Sequence, residues 1–168
     1  MREDIIVTKE EKLRKLIEAF GSAYPEKSVR THTNRQVLER FDDLREKDHV
    51  TVVGRVRSVR VMGRIAFAHI EDGTGKIQGF FSVEMLGEAA FSLFKETVDI
   101  GDFISVTGMP FLTKQDEKSI RVEQWVMLSK SMRPIPTEFY GIKDEEELLR
   151  RRYLDRKSTR LNSSHSDR

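Results

Sequence analysis

The spacing of apolar residues changes period along the chain, and the changes divide it into elements. Leu13, Leu16, Ile17 and Phe20 recur at helical spacing, which predicts a short amphipathic helix. Thr8-Lys9-Glu10-Glu11 reads as the capping box that starts it, and Gly21 as its stop. After a loop with Tyr24-Pro25 comes a second capping box, Thr33-Asn34-Arg35-Gln36, with Val37, Phe41 and Leu44 along one stripe of the following helix. From His49 the period falls to two. Val50-Thr51-Val52-Val53-Gly54-Arg55-Val56 runs toward Met62-Gly63-Arg64, and two further strands follow, joined by a turn. Ala89, Ala90, Phe91 and Phe94 fit a short helix, Gly101-Asp102 introduces a strand from Phe103 to Gly108, and Ser119 to Leu128 supplies a last strand rich in β-formers.

The second and third strands carry the most informative parity. Ala66, Ala68 and Ile70 alternate with Ile65, Phe67 and His69, so the small and aliphatic set faces one way and the aromatic and imidazole set the other. Asp72-Gly73-Thr74-Gly75 is a hairpin turn signal. If Glu71 pairs with Lys76, then Ile70 faces Ile77, His69 faces Gln78 and Phe67 faces Phe80. The outer face then holds Phe67, Phe80, His69 and Gln78 together, a flat stacking surface with hydrogen-bonding groups beside it.

The order β-β-β-α-β-β predicts a mainly β fold with α: a five-stranded OB-fold Greek-key barrel preceded by two N-terminal helices. An SH3-like barrel competes, but it normally lacks the intervening helix. In an OB-fold, the face of strands 2 and 3 and the loops joining strands 1–2 and 4–5 bind oligonucleotides. Arg60 and Arg64 flank the first loop, Phe67, His69 and Gln78 lie on the face, and Lys114-Gln115-Asp116-Glu117-Lys118 forms the second loop.

Composition narrows the partners. With 168 residues the chain holds one ordinary domain and appendages. No apolar run reaches membrane-spanning length, and the N-terminus mixes acids into its basic residues, unlike a targeting peptide; a cytoplasmic location and no membrane partner are expected. There is no cysteine, and His32, His49, His69 and His165 show no ligand spacing, which argues against a metal site. A formal charge of +2 is too small to hold nucleic acid through counterion release alone, so local basic groups and stacking must supply the affinity.

Arg133-Pro134-Ile135-Pro136 is a stiff extended linker and reads as a domain boundary. Beyond it Asp144 is placed to cap a final helix running through Leu148, Leu149, three arginines, Tyr153 and Leu154. The expected divisions are 1–48 as a helical extension, 49–130 as the barrel, 131–154 as the linker and start of a further domain, and 155–168 as a tail.

Taken in order, Tyr24-Pro25, Thr31-His32-Thr33, Met62-Gly63-Arg64 with Phe67, Gly75-Lys76-Ile77-Gln78, Leu112-Thr113-Lys114 with Glu117, Leu128-Ser129-Lys130, Arg133-Pro134-Ile135-Pro136 and Arg152-Tyr153-Leu154-Asp155 carry a resemblance. Residues 1 to about 154 resemble the N-terminal, anticodon-binding part of bacterial-type lysyl-tRNA synthetases, class II lysine–tRNA ligases. The resemblance implies that Phe67 stacks on the middle anticodon base and that Arg60, Gln78 and Glu117 read base edges of a uridine-rich triplet. Arg64, His69 and Lys114 are secondary candidates for RNA contact. The implied partner is the anticodon loop of tRNA(Lys). Family enzymes are homodimers that attach lysine to tRNA with ATP and Mg2+, through a catalytic domain expected after Tyr153-Leu154-Asp155. The chain is therefore expected to hold no cofactor and no catalytic residue, and not to aminoacylate. The tail from Asp155 to His165 departs from the family and resembles a translated sequencing-library adapter, so it is read as non-native.

Four other readings stay open at the level of sequence. Phe67 could fill a satellite cluster under the N-terminal helices. The aspartate and asparagine ligases share the barrel with its aromatic and glutamine, although the Met-Gly-Arg loop, the long extension and the Arg-Pro-Ile-Pro linker favour lysine. A sequence-neutral single-strand binder would carry more aromatics and a larger basic excess. A barrel that merely dimerises is the fourth. Glu71 and Asp72 point apart and offer no acid–base pair, and no helix follows Gly73-Thr74-Gly75 to bind phosphate.

Overall fold

The computed structural model describes residues 2–133, with side chains from residue 4 onward. The linker from Pro134, the helix after Asp144 and the tail lie outside the described residues. The elements are α1 (Arg2–Phe20), α2 (Asn34–Glu39), α3 (Phe41–Leu44), β1 (Val50–Met62), β2 (Ile65–Glu71), β3 (Lys76–Ser82), α4 (Val83–Leu86), α5 (Glu88–Thr97), β4 (Phe103–Leu112) and β5 (Lys118–Ser129). The strands close into a barrel in the order β1-β2-β3-β5-β4. β3 and β5 pair in parallel and the other neighbours antiparallel, which is the five-stranded OB architecture expected from the element order.

β1 closes the barrel because it serves two partners: residues 50–55 pair with β4 and residues 55–62 with β2. At the change-over a Cβ on Gly54 would lie 2.6 Å from the Glu71 carbonyl oxygen, so only glycine lets the two backbones approach there. Inside lie Val52, Val56, Ala66, Ala68, Ile70, Ile104, Val106, Ile120 and Val122, all fully buried. Phe94 of α5 stacks on Phe81 with ring centroids 3.9 Å apart and meets Trp125 edge-on, and Phe20 of α1 abuts the same tryptophan.

Three local expectations need correction. Thr8 does not cap a helix: α1 begins at least six residues earlier and the Thr8 hydroxyl donates to the Asp4 carbonyl at 2.9 Å. The residues before it carry no glycine or proline, so nothing stops the helix from extending toward the N-terminus. Ile17 stays 45% exposed while Leu16 is fully buried, because α1 uses only the Leu13, Leu16 and Phe20 stripe against the core. The second helix forms on its capping box as expected but breaks at Arg40, whose φ of −99° and ψ of 22° separate α2 from α3.

Two polar clusters fix the appendages. Lys130, with no exposed side chain, donates to Asp99 and Asp102 at 2.6 Å each, and Lys12 of α1 joins Asp99 at 2.6 Å. Burial pushes the Asp99 carboxyl up, but the Lys12 and Lys130 ammonium groups outweigh it and hold the pKa below its ordinary value. At the other end the Asn34 amide donates to the Ile70 and Gly75 carbonyls, and its backbone N–H to Asp72. Asp72 also accepts from Thr74 and Gly75, so the β2–β3 turn is tied to the start of α2 and the hairpin keeps one position.

Candidate nucleic-acid interface

The hairpin register is the expected one: Glu71 opposite Lys76, Ile70 opposite Ile77, His69 opposite Gln78 and Phe67 opposite Phe80. Extending it through the neighbouring pairings gives two rows across the outside of the barrel. One runs Ser58, His69, Gln78, Ser119, Phe111; the other runs Arg60, Phe67, Phe80, Arg121, Met109. Partners in register share a face, so the first row is mostly polar and the second aromatic and cationic.

Arg60 reaches this face only because of a bulge. Val52 and Val56 point into the core, and an unbroken alternation would send Ser58 and Arg60 inward with them. The register shifts between Val56 and Ser58, one residue is added, and the parity reverses. Ser58, Arg60 and Met62 then face outward opposite His69, Phe67 and Ile65.

These residues line a groove of about 750 Å³ with Phe111, Thr113, Lys114, Gln115 and Glu117. Phe67, Phe80 and Phe111 form a chain of rings, with centroids 5.3 and 5.7 Å apart and planes inclined at 49° and 62°. The Arg121 guanidinium lies 4.5 Å from the Phe111 ring centroid, a cation–π contact. The surface is therefore a tilted aromatic trough rather than the flat platform parity alone suggested. Phe67 is half-buried and lines the open groove, not a cluster under the helices.

The polar row is pre-arranged. The His69 imidazole spans Ser58 and Glu117, with Nδ1 2.8 Å from the Ser58 hydroxyl and Nε2 2.8 Å from Glu117 Oε1. A carboxylate only accepts, so the proton on the neutral ring belongs on Nε2, and Nδ1 accepts from Ser58. The strand face thereby holds the β4–β5 loop in place. Glu117 is further fixed by its backbone N–H to the Thr113 hydroxyl at 3.1 Å. Gln78 is buried, its amide oxygen accepting from the Ser119 hydroxyl at 2.8 Å.

Of the residues singled out from sequence, the groove brings together Arg60, Phe67, His69, Gln78, Lys114 and Glu117. It does not bring Arg64, which sits beyond the turn at Gly63 and pairs with Glu88 at 2.9 Å. Ser58 and Phe111, which line the groove, and Ser119 and Arg121, which continue its two rows without lining it, were not foreseen. Their place depends on the bulge and on the parallel β3–β5 pairing, neither of which has a local signature. Among the described residues no group of three or more His, Asp or Glu side chains could hold a metal ion, and no helix is long and apolar enough to cross a membrane.

Closed barrel, outer aromatic trough and polar row define an OB-fold of the nucleic-acid-binding class, and residues 50–128 match the family of OB-fold nucleic acid binding domains typified by the tRNA anticodon domain. Similar proteins narrow the family. A lysine–tRNA ligase of Shouchella clausii is 41% identical over 158 residues, covering 90% of this chain and 31% of its own length. The lysine–tRNA ligase of Thermotoga maritima is 38% identical, covering 88% of this chain and 31% of its own, and that of Clostridium novyi is 43% identical over 77% of this chain and 25% of its own. The chain belongs to the lysine–tRNA ligase family, in the part that carries the anticodon-type OB domain, and spans between a quarter and a third of the length of these relatives.

Proposed function

We propose that this chain reads the anticodon loop of a lysine tRNA, and that the protein it belongs to attaches lysine to that tRNA with ATP and Mg2+. The observation that carries the reading is the pair of outward rows: stacking groups in one and fixed base-edge partners in the other, side by side in one groove. Single-stranded loops offer unstacked bases, which proteins recognise by aromatic stacking and hydrogen bonds to base edges.

In this reading Phe67 stacks on the middle base, with Phe80 supporting it from behind. Arg60, exposed at the end of the same row, donates to a base or its phosphate, and Lys114 on the β4–β5 loop holds the backbone by charge. Glu117 weighs against a sequence-neutral binder. A carboxylate repels phosphate, yet its second oxygen accepts from an imino or amino group of a base. His69 braces that carboxylate, acting through Glu117. A uridine-rich triplet suits the set, since each uracil offers carbonyl acceptors and one imino donor. Arg64 stands apart from the groove and has no part in this reading.

The test is a titration of the 168-residue chain with a lysine anticodon hairpin and the same hairpin with its middle base changed. Preference by about tenfold, worth about 1.4 kcal/mol, is expected. Equal affinity for the two hairpins, or none for either, refutes the reading.

A further inference from the structure

Ser119 lies on β5 opposite Gln78 in the parallel β3–β5 pairing, and its side chain is fully buried. Its hydroxyl oxygen is 2.8 Å from the Gln78 amide oxygen and 3.2 Å from the Glu117 carbonyl oxygen. A hydroxyl has one proton to give, so the two acceptors compete. The Glu117 carbonyl already accepts from the Thr113 backbone N–H at 3.1 Å, whereas the Gln78 oxygen has no other donor among the described residues. The Gln78 oxygen is also the nearer acceptor, and the hydroxyl donates to it. With its oxygen held against β5, the carboxamide must turn its NH2 group the other way, into the groove that Gln78 lines.

We propose that Ser119 is a specificity-determining positioning residue: it locks the Gln78 amide with its donor end toward the RNA, so that the groove accepts a keto base and rejects an amino base. This rests on the anticodon-reading function above and adds the device that sets its polarity. A fixed N–H donor meets the carbonyl acceptor of uracil or guanine, but would face the exocyclic amino donor of cytosine or adenine. Glu117, whose first oxygen is taken by His69 at 2.8 Å, keeps its second for the imino N–H that both keto bases share. Left unanchored, an amide can rotate and present either end, and its selectivity is lost.

The experiment compares the full chain with Ser119→Ala against four anticodon hairpins that differ only in the middle base. Uracil against cytosine and guanine against adenine are two pairs matched in size and opposite in edge polarity. The wild-type chain should favour the keto member of each pair by about tenfold, within the discrimination a good base-edge contact gives. In Ser119→Ala both ratios should fall to about twofold, while the preference between pyrimidines and purines, which reports groove shape, stays unchanged. A general packing defect would weaken all four hairpins alike.

Gln78→Glu provides a second reading that does not depend on Ser119→Ala folding. In mildly alkaline buffer its carboxylate presents an acceptor whichever way it turns, so preference should swing to cytosine and adenine. Undiminished keto ratios in Ser119→Ala, or an unchanged keto preference in Gln78→Glu, overturns the proposal while leaving anticodon binding intact. A wild-type chain that binds all four hairpins equally removes the anticodon-reading function itself, and this inference with it.

Discussion

Phe67→Ala should separate recognition from folding, if the phenylalanine stacks on a base as proposed. Two phenylalanines fourteen residues apart have opposite surroundings: Phe67 is half-buried on the groove, whereas Phe81 is fully buried and stacked on Phe94 at 3.9 Å. Removing the Phe67 ring gives up one tilted contact with Phe80 at 5.3 Å, of a kind worth about 0.5–1.5 kcal/mol, and some partial burial. A folding cost of about 1–2 kcal/mol follows. Its binding cost is that of a lost stacking partner, about 1–3 kcal/mol, or roughly 5- to 150-fold in Kd. Phe81→Ala should instead cost about 3–5 kcal/mol of stability, as large-to-small changes in a packed core do. Fluorescence anisotropy with a labelled lysine anticodon hairpin, and urea unfolding on the same preparations, read both quantities. A Phe67→Ala chain that unfolds as readily as Phe81→Ala would place Phe67 in the core. One that stays folded and binds within twofold of wild type would move the stack to Phe80 or Phe111.

Further predictions concern what holds the groove's scaffold. Lys130→Met leaves Asp102 buried with its ammonium partner gone, and should cost about 3–5 kcal/mol, seen as a melting temperature lower by roughly 10–20 °C; a change under 2 °C would refute the account. Asp99 and Asp72 are both held below the ordinary carboxyl value of 3.8. For Asp72 burial acts upward, but the hydrogen bonds from Asn34, Thr74 and Gly75 prevail. Between the folded and ordinary values the unfolded chain binds more protons, so the stability these groups supply is present above about 4 and is lost as pH falls below it. Urea midpoints that do not fall across that window would contradict this, and Asp99→Asn should flatten the slope. Gly108→Ala would place a Cβ 1.9 Å from the Arg121 carbonyl at the register shift between Thr107 and Gly108. It should destabilise by about 1–3 kcal/mol, measured by the same urea curves, and an unchanged midpoint would show that the β4–β5 pairing relaxes freely.

Much of the fold could be read from sequence wherever a local signal coincided with a tertiary need. The β2–β3 register followed from Asp72-Gly73-Thr74-Gly75 and strict alternation, because a slip of one residue would bury His69 and expose Ile70. The second capping box held because Thr33 and Gln36 satisfy each other's backbone partners whatever lies nearby. Thr8 misled because Ser and Thr cap well yet also bond back to the carbonyl four residues earlier inside a helix, and the difference lies in the residues that precede them. The break at Arg40 had no glycine or proline to announce it.

The groove divides along the same line. Phe67, His69 and Gln78 could be placed together because one hairpin carries all three, and hairpin register is a short-range property. Ser119 and Arg121 join the two rows through the parallel β3–β5 pairing, in which Gln78 meets a residue forty-one positions away, and Phe111 follows through its pairing with Ser119. Ser58 and Arg60 join through a bulge that reverses the parity of half a strand. Resemblance to a family supplied Arg60 and Glu117 as base contacts, but it gave no reason for either position. The reason is geometric: the bulge turns Arg60 out of the core, and His69 ties Glu117 to the strand face. The residues proposed to touch a base were named for their chemistry, whereas Ser58 and Ser119, which hold their neighbours in place, are brought there by the bulge and by closure of the barrel. An exchange that preserves the contact residues but alters Ser58, His69 or Ser119 should therefore change which base is chosen before it changes how tightly RNA is held.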